Sequence, residues 1–327
     1  MTAAAGQELL RLENLSVSFP GRGFGAESSR RLRAVDDVTL EIAPGEVLGL
    51  VGESGSGKTT LAKALLRLYR PSGGRILFRG ADLAGLSERA LKPYRRDLQM
   101  VFQDPLSSFN PRQTVFESLV TPLSLHKVCA RAELGDRVAQ ILTQVGLSPA
   151  FRDRFPHELS GGQLQRVAIG RALTLSPSLL VADEAVSKLD VSVRAQILNL
   201  LKDIRERHGI SILFITHDLH VARYLCDRIG VMYFGKLVEL GGTEEVFGAP
   251  RHPYTRALLG TLDDELRSSS IEESIAPPSP TGCRYASRCR HRIDACTAEH
   301  PDFEAADGHA VACIRWRELA IEPKTSR

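Results

Sequence analysis

Two kinds of hydrophobic spacing alternate along the first 260 residues. Leu10, Leu12, Leu15, Val17 and Phe19 nearly alternate with polar positions, as do Val38, Leu40 and Ile42, and both stretches predict half-buried strands. Val47–Val51, Leu179–Ala182 and Ile212–Ile215 are short, uninterrupted apolar runs, the pattern of strands buried on both faces of a parallel sheet. Between them, Leu134, Val138, Ile141, Leu142 and Val145 keep helical spacing, and so do Val193, Ile197, Leu200, Leu201 and Ile204 before Gly209 closes the segment. Pro20–Arg33 is rich in Gly and Arg and predicts a solvated connection.

The pattern changes after Leu262. Asp263–Gly282 carries three consecutive serines, acidic residues and Pro277, Pro278 and Pro280, so it is expected to be a linker without a core. Four of the six cysteines follow it, in the spacing Cys283-x5-Cys289-x6-Cys296-x16-Cys313. Such crowding points to a metal centre. Cys129 and Cys226 stand alone and read as buried or incidental thiols.

At 327 residues the chain has room for about two domains, and its 43% hydrophobic and 25% charged residues are ordinary for a globular protein. No apolar run approaches the roughly 18 residues of a membrane span, and Met1–Leu10 lacks the form of a secretion signal, so a cytosolic chain is expected. A net charge of +3 is too small to argue for nucleic acid.

Three segments carry candidate chemistry. Gly52-Glu53-Ser54-Gly55-Ser56-Gly57-Lys58-Thr59 has the P-loop spacing, with Thr60 next, and lies between an apolar strand and the helical Leu61–Leu68. There the backbone N–H groups would curl around phosphates, Lys58 would bridge the β- and γ-phosphates, and Thr59 would ligate Mg²⁺. Leu179-Leu-Val-Ala-Asp183-Glu184 is a strand ending in two carboxylates, which suits Asp183 for the same metal and Glu184 for polarising a water. Ser160-Gly161-Gly162-Gln163 opens a helix whose free N–H groups suit an anion. One P-loop already cradles the nucleotide, so a second phosphate-seeking helix start makes sense if two copies face each other.

In this order, over about residues 9–260, the motifs resemble the nucleotide-binding subunit of an ATP-binding cassette (ABC) transporter. The resemblance implies an α/β P-loop NTPase fold: a nucleotide-binding domain over 1–262 with a helical signature subdomain near 105–175, a linker over 263–282 and a small Cys-rich module over 283–327. It implies that Phe19 stacks on adenine, that Gln103 senses Mg²⁺ and touches a membrane partner, that Ser187-Lys-Leu-Asp190 crosses a dimer interface, and that His217 contacts the γ-phosphate. Lys188 stands where the family has a small residue, and Ala185-Val186 where Pro-Thr is commoner.

His252-Pro-Tyr-Thr255, the run Leu98–Pro105, Phe109-Asn-Pro111 and the cysteine module are similar to ATPases of oligopeptide, dipeptide and nickel importers, more like the second of their two ATPase subunits. This implies two transmembrane permease subunits, a second homologous ATPase and an extracytoplasmic substrate-binding protein as partners. It also implies a peripheral position at the cytoplasmic face of the inner membrane, and either peptides or a nickel complex as cargo. In that family the four cysteines can hold a [4Fe–4S] cluster; zinc and unligated thiols are the alternatives. A non-transport ABC protein acting on DNA or ribosomes is disfavoured by the single cassette and the lack of sustained heptads. A redox enzyme would need a second cofactor motif. The linker is expected to let the cysteine module sit apart from the nucleotide site, so that Cys289→Ser would leave nucleotide binding largely intact.

Overall fold

The structure is a computed structural model that describes residues 8–20, 32–260 and 281–319. Residues 263–280 of the expected linker, and nearly all of the Gly/Arg-rich connection, lie outside the described residues.

The strands among the described residues are β1 (Leu10–Phe19), β2 (Leu32–Ile42), β3 (Val47–Val51), β4 (Gly73–Phe78), β5 (Ala81–Asp82), β6 (Leu98–Val101), β7 (Leu179–Asp183), β8 (Ser211–Ile215), β9 (Arg228–Tyr233), β10 (Lys236–Gly242), β11 (Glu304–Ala306) and β12 (His309–Val311). The chain divides into two compact units. The first takes in Ile42–Val47 and Phe78–Ile215, with the described residues before Arg11. The second takes in the described parts of Arg11–Glu41, Leu48–Leu77 and the described residues from Thr216 onward.

In the first unit β6, β7 and β8 run parallel, in the register Leu98↔Leu179↔Ser211. Every residue of β7 and β8 is buried, which is why these strands read as unbroken apolar runs. Three α-helices, joined by short 3-10 turns, fill the stretch between β6 and β7. Val115–Leu125 starts at a capping box in which Thr114 and Glu117 satisfy each other's backbone N–H groups. Leu134–Gln144 buries Val138, Ile141 and Leu142 on one stripe, as its spacing predicts. Gly161–Leu173 follows. The long helix Val191–His208 buries Ile197, Leu200, Leu201 and Ile204 and ends at Gly209, whose φ of 65° is the left-handed cap that glycine accepts at little cost.

In the second unit β1 lies between β2 and β4, and β3 pairs parallel with β9. The helix after the P-loop starts and ends three residues earlier than the expected Leu61–Leu68. It spans Lys58–Leu65, because Arg67 turns to φ 54° and ends it, which leaves Leu68 exposed.

Two hairpins escape the hydrophobic pattern. β9 and β10 are joined by Phe234-Gly235, and β11 and β12 by Asp307-Gly308, both pairs with positive φ at each residue as a tight two-residue turn requires. The second hairpin corrects an expectation. The cysteine module does not sit apart: β12 adds to the edge of β10 in the register Glu239↔Val311 and Leu240↔Ala310. The buried Glu239 carboxylate ties the two together. It accepts from the backbone N–H groups of Arg251 and His252 and lies 2.7 Å from His309 Nε2. Arg284 adds an ion pair at 2.8 Å to the buried Asp36, which also meets Arg33 and Lys236. Burial alone would raise the Asp36 pKa, but its hydrogen bond to Arg284 and the neighbouring cations hold it below the ordinary value.

Candidate nucleotide-binding site

β3 delivers the chain to Gly52 at its C-terminal end, and the P-loop turns there into the helix beginning at Lys58. Two glycines are obligatory in this turn. At Gly52 (φ 147°) a Cβ would stand 2.2 Å from Met232 O, and at Gly57 (φ 104°) 2.3 Å from Ala34 O. The Lys58 side chain is buried and folds back into the loop. Its Nζ donates to Gly52 O at 2.8 Å, Glu53 O at 2.7 Å and Ser56 Oγ at 3.0 Å. The ammonium is thus the centre around which the loop closes. Ser54, Gly55 and Thr59 are exposed and Thr60 is half-buried. Phe19 ends β1 and packs edge-on against Tyr69, ring centroids 5.3 Å apart.

In the other unit, β7 carries the buried Asp183 to its C-terminal end, and Glu184 follows with a backbone φ of 48°. A left-handed glutamate is costly, and such strain gathers at functional sites. It is held by Glu184 N–H to Ile215 O at 2.9 Å and by Ser187, which returns both its N–H and its hydroxyl to Glu184 O. Gln103 Nε2 donates to Glu184 Oε2 at 2.6 Å, so two residues far apart in sequence meet.

Ser160 is the N-cap of Gly161–Leu173. Its Oγ accepts from Gln163 N–H at 3.3 Å, and Gln163 Oε1 accepts from Ser160 N–H at 3.0 Å. The serine therefore performs an ordinary capping task while the helix start keeps its positive dipole end. Gly162 has a packing reason as well, since a Cβ there would lie 2.4 Å from Val193 Cγ1. His217 follows β8 by two residues and belongs to the unit that holds the P-loop. The Asp218 carboxylate caps the next helix by accepting from His220 and Val221 N–H.

Cys283, Cys289, Cys296 and Cys313 line one cavity, closed also by His252, Tyr285, His291 and Arg315. All four are free thiols of intermediate exposure. Burial pushes the Cys283 thiol up to about 11 and raises Cys289 and Cys313 as well. Thiolates at this spot therefore call for a cation. Among the described residues no three His, Cys, Asp or Glu side chains form a group able to hold a single metal ion. The sequence marked His252-Pro-Tyr-Thr255 only through a family resemblance and held no signal for Tyr285, which lines this cavity, or for Arg288; both acquire their places through the docking of the module.

The "ABC transporter" family profile matches residues 35–187, and the profile "Oligopeptide/dipeptide transporter, C-terminal region" matches 238–296. The chain is 44% identical over 325 residues to the oligopeptide transport ATP-binding protein AppF of Bacillus subtilis (strain 168), covering 96% of this chain and 99% of that one. Among solved structures it is similar to cbiO1 of Clostridium perfringens, part of the ABC transporter complex cbiONQ (TM-score 0.64, 28% identity, 74% of this chain and 91% of that one). It is equally similar to the ATP-binding cassette MJ0796, solved as a dimer bound to ADP and Pi in a post-hydrolysis state (TM-score 0.64, 30% identity, 72% and 98%).

Proposed function

Since this chain belongs to the ATP-binding subunits of ABC transporters, in the branch with the oligopeptide/dipeptide transporter C-terminal region, we propose that it hydrolyses ATP to power the import of di- and oligopeptides. The observation that carries the reading is the near-complete overlap with an oligopeptide transport ATP-binding protein, which includes the C-terminal segment and not the cassette alone.

In this reading residues 1–262 form the nucleotide-binding domain, with a helical subdomain near 105–175, followed by the linker 263–282 and the cysteine module 283–327. The P-loop amides of Gly52–Thr60 and Lys58 bind the phosphates, and Phe19 stacks on the adenine. Thr59, Gln103 and Asp183 are oxygen donors of the kind a hard cation prefers and would hold Mg²⁺, which neutralises charge on the phosphates when bound. Glu184 orients and polarises the attacking water, and His217 contacts the γ-phosphate. Phosphoryl transfer needs positioning and charge neutralisation more than covalent help, so these groups suffice in kind. Ser160, Gly161, Gly162 and Gln163 would receive the γ-phosphate of a facing ATPase, with Ser187–Asp190 at the junction.

The partners are then two transmembrane permeases, a sister ATPase and an extracytoplasmic substrate-binding protein, with no nucleic acid. The chain would act peripherally at the cytoplasmic face of the inner membrane. Among the described residues no helix is long and apolar enough to cross a membrane. We also assign Cys283, Cys289, Cys296 and Cys313 to a [4Fe–4S] cluster, supported by four thiols around one cavity. When bound, it would cross-link four points of a segment too small to hold a core by itself.

The test is reconstitution of the whole transporter in liposomes. Peptide presented by its binding protein should stimulate ATP hydrolysis and accumulate inside. Stimulation by a nickel complex and not by peptide would overturn the cargo assignment. ATP hydrolysis that never responds to the membrane subunits would overturn the transport role.

A further inference from the structure

The cysteine segment reaches the P-loop. Two successive turns, Ala286 N–H to Cys283 O and Arg288 N–H to Tyr285 O, each 3.0 Å, fold residues 283–288 against the cassette. Tyr285 is buried there, edge-on to Tyr233 at 5.3 Å and tilted against Tyr254 at 5.5 Å. The Tyr254 hydroxyl accepts the backbone N–H of Glu53 at 2.9 Å. Arg288 donates through Nη1 to both carboxylate oxygens of Glu53, at 3.3 and 3.2 Å. The second residue of the P-loop is therefore held twice, at its main chain by a tyrosine and at its side chain by an arginine. Both come from outside the nucleotide motifs.

Two physical consequences follow. Phosphate capture needs the successive N–H groups of the loop already aimed inward, and fixing Glu53 lowers the cost of ordering them. The loop also carries a carboxylate while it must accept a polyanion. Arg288 neutralises that carboxylate, whereas an unpaired Glu53 would repel the triphosphate.

We propose that Arg288 is a positioning residue for nucleotide binding: by pairing with Glu53 it lets the cysteine-bearing segment set the affinity of the P-loop for ATP. The inference rests on the ATPase reading above. The pair is 40% and 43% exposed, so the effect is modest. Arg288→Gln is expected to raise the KM for ATP about two- to fivefold, the range of an exposed ion pair, with kcat unchanged.

The full-length chain should be compared as wild type, Arg288→Gln, Arg288→Lys, Glu53→Gln and the double Glu53→Gln/Arg288→Gln variant. Steady-state hydrolysis and titration with a fluorescent ATP analogue are the two readouts. The expected result is weaker binding in Arg288→Gln, recovery in Arg288→Lys, and no further penalty from Arg288→Gln once Glu53 is an amide. An unchanged KM, an equal penalty in the Glu53→Gln background, or a loss confined to kcat would overturn it. A wild-type chain that binds no ATP would overturn the ATPase reading itself, and the proposal with it.

Discussion

Gln103 and Glu184 lie 81 positions apart in the chain, yet the glutamine amide donates to the glutamate carboxylate at 2.6 Å. A residue expected to touch a membrane partner thus grips the residue expected to direct water. The contact gives a direct physical route from one to the other. Glu184→Gln replaces a carboxylate by an amide that cannot polarise water but keeps the shape. ATP binding should persist while steady-state turnover falls by at least ~10²-fold, the low end for a lost general base. Unchanged turnover would remove Glu184 from the chemistry.

Lys58 donates three hydrogen bonds inside the P-loop, so Lys58→Ala deletes the cation at its centre. Loss of a charge-assisted phosphate contact should weaken ATP binding roughly 10- to 100-fold. If the chain pairs with itself, mixing Lys58→Ala with Ser160→Arg leaves one composite site free of both changes, and activity should partly return. If mixing fails and only a sister ATPase restores activity, the facing subunit is that other chain.

The imidazole of His252 is fully buried, caps the helix Pro253–Leu258 by accepting from Tyr254 N–H, and has its pKa lowered to about 4 by burial. Nearby Glu239 pulls the other way, while His300 and Arg256 add to the depression. In the unfolded chain the same histidine protonates near 6.5. The folded state therefore keeps its full stability above about pH 6.5 and loses part of it as pH falls toward 4, by roughly 3 kcal/mol for a shift of this size. His252→Asn keeps an acceptor for the cap and cannot titrate. Its thermal midpoint should fall less than that of the wild type between pH 7 and 5; parallel curves would show that His252 does not govern the acid side.

Protein purified without oxygen should be brown and carry about four irons per chain if one [4Fe–4S] cluster is bound. Cys289→Ser should bleach it and leave residues 283–313 open to protease. The docking of this segment on Glu53 changes one expectation: the same substitution should also raise the KM for ATP. Colourless anaerobic protein with stoichiometric zinc would replace the cluster by a zinc site, and metal-free protein would leave four thiols.

Local signals in the sequence anticipated much of what the structure contains. The apolar runs at Val47–Val51 and Ile212–Ile215 needed no partner to be recognised, because a strand covered on both faces has no polar side to interrupt it. The P-loop and the Ser160 cap are likewise encoded within a few residues. What stayed hidden depends on long-range pairing. Nothing around Arg288 distinguishes it from its neighbours Arg284 and Arg290 until β12 joins β10 and the aromatic cluster forms. The module read as detachable because its own composition lacks a core, and the missing core is borrowed from residues 233–254.

The pairing of β12 with β10 also bears on how this chain tolerates shortening. A protein cut at residue 262 would present β10 as an open edge, with unpaired backbone N–H and C=O groups ready to template another chain. It would also remove the His309 contact of the buried Glu239 carboxylate, leaving it only the backbone N–H groups of Arg251 and His252. Self-association and insolubility, not a well-behaved minimal cassette, are the expected fate of such a fragment. The C-terminal segment covers the edge of β10 and leaves the short β11 as the sheet's end.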